Sequence, residues 1–285
     1  MDQLNICIGL CVYNSEQGIH YVISNLLEIK KLFKNCKFIF SYHESTDNTY
    51  KLLTNFLNSY PENVEILINT KRTFSRTANI AIARNLILDH IREKYILYEY
   101  FAMMDCNEYA CVGPIDTNIM KEVFLEKNIE KWDAVSFDRE DGYYDTWALS
   151  FHPYIYSFFH FKKWNVVVEM MRNEFSNILS TQKRNNPDDF INVYSAFNGF
   201  SIYKMVKFID CNYSSNIDLK LFKIDDLCNI VKITKIPIIN NFSNDCEHRH
   251  FHLESISKHD SKICIYPKSL FTKIKNTPTN LRAAA

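Results

Sequence analysis

The first hundred residues alternate short apolar runs with amphipathic segments. The runs are long enough for buried strands, and the segments between them carry apolar residues on one helical face. Strands separated by helices of this length indicate a mostly parallel sheet that is covered by helices on both sides. The predicted strands span residues 5–13, 37–42, 64–68 and 98–104, and the longest predicted helix of this half spans residues 76–91.

The second half of the chain is less periodic. Its predicted elements are strands at 134–138, 197–203 and 231–239, a helix at 163–179, and a basic, weakly patterned tail from residue 258. Neither an internal repeat nor a low-complexity linker interrupts it. We therefore predict one α/β domain that spans residues 1–285.

Composition and charge narrow the classes of partner. The chain has 285 residues, of which 33 are lysine or arginine and 33 are aspartate or glutamate. Because this balance leaves no excess of basic residues, we expect no nucleic-acid partner. No run of 18 apolar residues occurs, so no transmembrane segment is expected. Nine cysteines without a Cys-x-x-Cys pair, together with the lack of a basic leader, predict a reducing, cytoplasmic location.

An apolar run that ends in acidic and amide side chains is the strongest local signal of chemistry. It spans residues 101–108, with the sequence FAMMDCNE. Asp105 and Asn107 are two residues apart, so both can face one side if the extended geometry continues. Carboxylate and amide oxygens suit a hard divalent cation, which would neutralise a bound diphosphate. The alternative interpretation is an acidic turn at the end of a strand.

A histidine-rich segment at residues 245–252 supplies further candidate ligands. In an extended segment His248, His250 and His252 would share one face, and imidazole binds transition metals. One of these histidines could complete the shell of the ion, while Glu247 points elsewhere. The alternative is that these histidines pack in the core or lie on the surface. The absence of His-Glu-x-x-His disfavours a zinc hydrolase.

Polar residues follow the first two predicted strands. Tyr13 and Asn14 end the first strand, and Glu44 and Asp47 follow the second. Because the carboxyl ends of parallel strands meet at one edge of a sheet, these side chains are candidate contacts for a nucleoside. Helix capping is the alternative, and it is favoured for Thr46.

Two arginines are candidate phosphate ligands. Arg76 lies near the start of the third predicted helix, and Arg84 follows eight residues later on roughly the same face. Arginine matches phosphate oxygens with two parallel hydrogen bonds. For Arg84, a solvated helix charge is an equal alternative.

Two segments of the second half have the composition of a sugar-binding surface. Residues 195–203, SAFNGFSIY, place a glycine between aromatic residues, and residues 138–147 place carboxylates beside aromatic residues. Backbone at Asn198 and Gly199 can approach a sugar closely, and neighbouring rings can stack on it. A bulged core strand and an exposed acidic loop are the alternatives.

In this order, the segments resemble the GT-A glycosyltransferases. Those that look like the nucleotide-binding half of that fold are residues 12–14, 44–49, 76–85 and 105–107. Those that are similar to the fungal capsule-associated mannosyltransferase group, and to glycosyltransferases of large DNA viruses, are residues 143–149, 197–200 and 246–248. The resemblance covers about residues 5–255. It implies a GT-A-like α/β fold, with a mostly parallel nucleotide-binding half (1–110), a mixed acceptor-binding half (111–257) and a tail (258–285).

The resemblance also implies a nucleotide-sugar donor and a divalent cation, Mn²⁺ or Mg²⁺. Asp105 and Asn107 match the Asp-x-Asp metal motif of the family. The third position is an amide and not a carboxylate, which makes His248 the stronger candidate for a further metal ligand. Glu44 and Asp47 match the positions that hold the nucleoside. The residues that fall where acceptor contacts are expected are Tyr144, Asp145 and Gly199.

We therefore expect a hexosyltransferase that moves a sugar from a UDP- or GDP-sugar to a glycan or protein acceptor. In an inverting enzyme, Asp145 or Glu247 would deprotonate the acceptor hydroxyl. The alternatives are a non-catalytic carbohydrate-binding protein of the same fold and a sugar nucleotidyltransferase. Residues 9–18 disfavour the latter, because they lack a loop rich in glycine and lysine. The viral resemblance extends the expected location from the cytoplasm to a viral factory or a virion.

Overall fold

The structure is a computed structural model that describes residues 1–140, 142–239 and 244–272. Its helices and strands alternate in the first half, as the apolar pattern predicts. The strands are β1 (Asn5–Val12), β2 (Asn35–His43), β3 (Val64–Asn69), β4 (Tyr100–Asp105), β5 (Ala134–Asp138), β6 (Ile191–Val193), β7 (Phe200–Lys204) and β8 (Ile263–Ser269). The helices are α1 (Glu16–Lys30), α2 (Thr49–Ser59), α3 (Arg76–Lys94), α4 (Thr117–Val123), α5 (Glu126–Ile129), α6 (Trp164–Asn185), α7 (Met205–Phe208), α8 (Ile224–Thr234) and α9 (Glu247–His259).

These strands form one mixed sheet in the order β3-β2-β1-β4-β7-β5-β8-β6. The first four strands in this order, β3, β2, β1 and β4, are parallel, so they all end at the same edge of the sheet. Strand β7 then runs antiparallel between β4 and β5. The predicted α/β class, with a mostly parallel sheet in the first half and a mixed sheet in the second half, is confirmed.

The continuous apolar run of β1 is explained by burial on both faces of the sheet. Ile6, Ile8 and Leu10 belong to a core that includes apolar residues of α1 and α2. Cys7, which points the other way, belongs to a second core built with α3 and α9. Alternate side chains of the strand therefore enter different cores, and both positions must be apolar.

Three predicted elements of the second half are wrong. The strand predicted at 231–239 is in part helix α8, and the segment with three histidines is helix α9 and not extended. Strand β8 lies in the predicted tail, where it pairs with β5 and β6. Its apolar run is short and flanked by lysines, so the sequence pattern is weak. Among the described residues, no helix is long and apolar enough to cross a membrane.

The loop that follows β4 packs directly against the first turns of α1. A Cβ atom at Gly18 would lie 2.5 Å from the carbonyl oxygen of Asn107 and 3.0 Å from the backbone nitrogen of Glu108. Glycine is therefore required at this helical position by the close approach of two backbones. This contact fixes the loop relative to the end of β1.

We expect Gly18→Ala to lower the free energy of unfolding by about 1–3 kcal/mol, because the added methyl group overpacks a backbone contact. In an uncrowded helix the same change would stabilise the protein by about 1 kcal/mol. Urea unfolding measures the difference. Gln17→Ala, at an exposed position of the same helix, is the matched control, and a stabilising effect of both changes would contradict the packing argument.

Candidate functional site

Asp105 ends β4 at the edge of the sheet where the parallel strands finish. Its backbone N–H donates to the carbonyl of Gly199 at 2.8 Å, which ties it to the turn before β7. Its carboxylate is 28% exposed and has only long polar contacts. These are Arg84 Nη2 at 3.4 Å, the Tyr144 hydroxyl at 3.4 Å and Asn107 Nδ2 at 3.5 Å. The carboxylate is therefore held in place while its lone pairs are weakly used.

Arg84 lies between two carboxylates that come from different halves of the chain. Its guanidinium is 3.4 Å from Asp105 on β4 and 3.3 Å from Glu247 at the start of α9. The arginine is 5% exposed and stacks on the ring of Phe197 at 4.4 Å. Burial raises the pKa of Asp105 and of Glu247, and the charge of Arg84 opposes that rise. From the sequence, Arg84 was equally well explained as a solvent-exposed charge on a helix. In the structure it is a buried cation.

Arg76 is exposed at the start of α3 and faces the same region from the solvent side. Its charge acts to lower the pKa of both Asp105 and Glu247. The two arginines that were predicted to bind phosphate therefore differ in their surroundings. Arg84 is committed to protein carboxylates, whereas Arg76 remains accessible for an anion.

Asn198 and Gly199 form a turn with φ angles of 54° and 91°. The Asn198 side chain accepts the backbone N–H groups of Tyr144 and Asp145, at 3.2 and 3.3 Å, and donates to the carbonyl of Phe137. A Cβ atom at Gly199 would lie 2.9 Å from that of Ala110. In the structure, these two predicted acceptor contacts hold together the loops that carry the acidic groups.

Asp145 lies in the segment that the Asn198 side chain holds. Its carboxylate accepts the backbone N–H of Ala148 at 3.2 Å. Burial, followed by the negative charge of Asp105, raises the pKa of Asp145 to about 6. The neighbouring Tyr144 donates its hydroxyl to Asp105. Asp105, Asp145 and Glu247 therefore influence one another's ionisation at a single edge of the sheet.

The three histidines do not share one face, because α9 is helical. His248 and His252 are four residues apart and point inward, whereas His250 lies beside Glu254 on the other side. His248 stacks on Phe197 at 3.9 Å, and its Nε2 has no hydrogen-bond partner among the described residues. That nitrogen is 3.8 Å from Glu247. Burial holds the pKa of His248 well below its usual value, so the ring is neutral.

The side-chain oxygen of Asn107 is used within its own loop. It accepts the backbone N–H groups of Tyr109 at 3.1 Å and Ala110 at 2.7 Å. The predicted ligands Asp105, Asn107 and His248 therefore do not form a prearranged cage. A magnesium-type ion needs only one or two protein carboxylates when substrate phosphates complete its shell. The weakly bonded carboxylate of Asp105 fits that role, and Asn107 as placed does not.

The ends of β1 and β2 are joined by reciprocal hydrogen bonds. The Asn14 side chain accepts the backbone N–H of Thr46 at 2.8 Å, and Asp47 accepts those of Glu16 and Thr49 at 3.1 and 3.0 Å. Partial burial acts to raise the pKa of Asp47, but these hydrogen bonds lower it overall. Asn14 and Asp47 thus have structural roles in addition to their predicted nucleoside contacts.

Two other predicted nucleoside contacts are exposed at this edge. Tyr13 is 47% exposed, and the guanidinium of Arg72 lies 5.6 Å from the centre of its ring. Glu44 lines a cavity of about 410 Å³ at the carboxyl ends of β2 and β3. A larger cavity of about 620 Å³ lies where β2 begins, at the opposite edge and far from Asp105. We assign no role to the larger cavity, because no acidic group of the site reaches it.

Arg249 was not predicted as a site residue, but its contacts hold the second half of the site together. Arg249 is 1% exposed and pairs with Asp245. It also donates to the Ser150 hydroxyl at 2.8 Å and to the carbonyls of Trp147 and Leu149 at 2.6 and 3.3 Å. These hydrogen bonds therefore hold the segment that follows Asp145 against α9. The i,i+4 spacing of Asp245 and Arg249 was the available signal.

No protein-family model matches the chain. No curated protein matches it either.

The three similar solved structures described below are distant from this chain. The crystal structure of residues 1–349 of TarS from S. aureus in complex with UDP has a TM-score of 0.47 at 11% identity, and the match covers 95% of this chain and 60% of that one. The mannosyltransferase PcManGT from Pyrobaculum calidifontis, in complex with GDP-Man and Mn²⁺, has a TM-score of 0.44 at 12% identity, covering 92% and 56%.

Glucosyl-3-phosphoglycerate synthase from Mycobacterium tuberculosis with UDP has a TM-score of 0.40 at 10% identity, covering 97% and 74%. The chain spans about three fifths of the length of the TarS 1–349 structures that it matches. Because identities and TM-scores are this low, the chemistry has to be inferred from the site itself.

We expect Arg249→Met to lower the free energy of unfolding by about 3–5 kcal/mol, because it removes the guanidinium that is paired with the buried carboxylate of Asp245, beside which His160 lies at 3.8 Å. Urea unfolding gives the value. Arg172→Met, which removes an exposed helical pair with Glu169, is the control and should cost less than about 1 kcal/mol. Equal effects of the two changes would show that Arg249 does not fasten the segment.

Proposed function

We propose that this protein is a glycosyltransferase that moves a sugar from a UDP- or GDP-sugar to a hydroxyl group of a glycan or protein. One observation carries the proposal. Asp105, Asp145 and Glu247 converge with Arg84 and Arg76 where four parallel strands end. That edge is where α/β sheets bind ligands, and mixed charges of this kind suit an anionic donor and a proton acceptor.

In this proposal the nucleotide-sugar donor lies across the ends of β1, β2 and β4. Its nucleoside would contact Tyr13, Asn14 and Glu44, and its diphosphate would lie near Arg76 and Asp105. Arg76 is exposed and offers a planar fork of N–H groups to phosphate oxygens. A Mn²⁺ or Mg²⁺ ion held by Asp105 and the phosphates would supply charge neutralisation of the departing diphosphate.

Asp145 is the better candidate for the proton acceptor. Glu247 is paired with the guanidinium of Arg84, which stabilises its ionised form and weakens it as a base. Asp145 makes no ion pair of this kind among the described residues, and its pKa is raised to about 6. In the proposed step the acceptor hydroxyl loses its proton to Asp145 and bonds to the anomeric carbon, whose bond to the diphosphate breaks.

The acceptor is placed on the side of the second half. The hydroxyl of Tyr144 donates to the carboxylate of Asp105 at 3.4 Å. The Asn198 side chain supports this surface by accepting the backbone N–H groups of Tyr144 and Asp145, and the carbonyl of Gly199 accepts the backbone N–H of Asp105. The finer assignment as a hexosyltransferase and the predicted likeness to fungal and viral enzymes remain predictions.

The first test of the function is turnover of a panel of UDP- and GDP-sugars, with and without manganese. We expect Asp145→Asn to lower the rate of transfer or donor hydrolysis by about a hundredfold or more, because the proton acceptor is lost. Donor affinity, measured by calorimetry, should change little. Asp189→Asn, at an exposed pair with Lys131, is the control.

Three outcomes separate the alternatives. Glycan binding without nucleotide binding would favour the non-catalytic carbohydrate-binding protein. Release of pyrophosphate from a nucleoside triphosphate and a sugar phosphate would favour the nucleotidyltransferase. No turnover of any donor, with Asp105→Ala indistinguishable from the natural chain in nucleotide binding, would rule out the proposal.

The pH dependence of the rate provides a second test. A proton acceptor works only in its ionised form, so kcat/KM should fall as the pH drops through about 6, the pKa of Asp145. The profile should lose this step in Asp145→Asn and keep it in Asp189→Asn. A rate that is independent of pH between about 5 and 8 would remove Asp145 from the mechanism.

A further inference from the structure

A second group of metal-binding side chains lies at the opposite edge of the sheet. Asp210 and Cys211 follow α7, and His259 ends α9. Helix α7 begins where β7 pairs with the start of β4, so this group is separated from Asp105 by the length of the strand. Within the described residues, it is the one compact group of three aspartate, glutamate, histidine or cysteine side chains that could hold a metal ion.

The donor atoms of this group are already close to the spacing that tetrahedral zinc requires. His259 Nε2 is 2.7 Å and Cys211 Sγ is 3.6 Å from the same oxygen of Asp210, and all three atoms lie within 4.8 Å of one another. Zinc bond lengths at tetrahedral angles give about 3.6 Å between sulfur and oxygen and about 3.3 Å between nitrogen and oxygen. The first distance matches, and the second needs to open by about 0.6 Å.

We propose that Asp210, Cys211 and His259 bind a zinc ion, with water as the fourth ligand on the exposed side. Thiolate and imidazole are the donors that favour zinc over magnesium or calcium. Asp210 and His259 are partly exposed, so an ion can reach the site, whereas Cys211 is buried beneath it. This site is independent of the proposed glycosyl transfer.

Charged groups of both signs surround the three side chains, and Arg92 donates to the backbone carbonyl of Cys211 at 2.5 Å. Lys258 Nζ lies 3.8 Å from the second carboxylate oxygen of Asp210, and it donates to Glu254 and to the backbone carbonyl of Asp210, both at 2.8 Å. Burial, and then the charges of Glu254 and Asp210, raise the pKa of Cys211 to about 12. Zinc therefore has to displace the thiol proton, which leaves to solvent as the sulfur–zinc bond forms. A bound ion would link α7 to the end of α9.

The test is zinc binding by the purified full chain, measured by competition with a colorimetric chelator and by the shift in Tm on adding zinc. We expect one equivalent of bound zinc and a higher Tm. Binding should fall at least tenfold in Cys211→Ser and in His259→Ala, and Co²⁺ in place of zinc should show thiolate-to-metal absorption that Cys211→Ser abolishes.

The matched controls are Cys228→Ser and His20→Ala, which change exposed residues outside the group. Both should bind zinc as the natural chain does, and so should Asp105→Ala, which separates this site from the proposed donor site. His259→Ala changes a partly exposed side chain and keeps the test valid if Cys211→Ser folds poorly. Equal zinc binding in natural chain, Cys211→Ser and His259→Ala would overturn the proposal.

Discussion

A buried guanidinium between two carboxylates is the interaction on which the candidate site depends. Arg84 is supplied by α3, Asp105 by β4, and Glu247 by the first turn of α9, so the triad joins the two halves of the chain. Burying such charges is expensive, and well-packed apolar residues would stabilise a fold at least as well. Stability alone therefore does not account for the triad, whereas the proposed binding of an anionic donor at this edge of the sheet does.

The triad keeps its geometry because backbone contacts hold its neighbours. Asp105 is bonded through its amide to Gly199, and Asn198 fastens the segment that contains Asp145. Arg249 then fastens the continuation of that segment to α9, which also carries Glu247. Each carboxylate is thus positioned by a group that does not itself face the proposed substrate. Rigid support of this kind is what a catalytic arrangement requires.

The sequence predicts the first half of the structure well and the second half poorly, for physical reasons. Apolar runs that are buried on both faces, such as β1, have a strong signal, and parallel topology then places Asp105 at the ligand edge. His248, His250 and His252 fit an alternating strand as well as a helix, so α9 was not predictable from spacing alone. Asn107 follows Asp105 as a ligand would, and only the positions of the Tyr109 and Ala110 amides reveal its structural role.

The charges of the site place a condition on the proposed mechanism. Within the described parts of the chain, the charges of Arg84 and Arg76 oppose the three carboxylates of Asp105, Asp145 and Glu247, so this group is negative in excess when all are ionised. A bound diphosphate adds further negative charge and would raise the pKa of Asp145 above about 6, because like charges disfavour the ionised form. Asp145 would then be protonated at neutral pH and unable to act as a base. Asp145 stays ionised only where a positive charge beside Asp105 offsets the negative charge of the donor. In the proposed mechanism, Asp145 can therefore act as the base only if a divalent cation is bound beside Asp105.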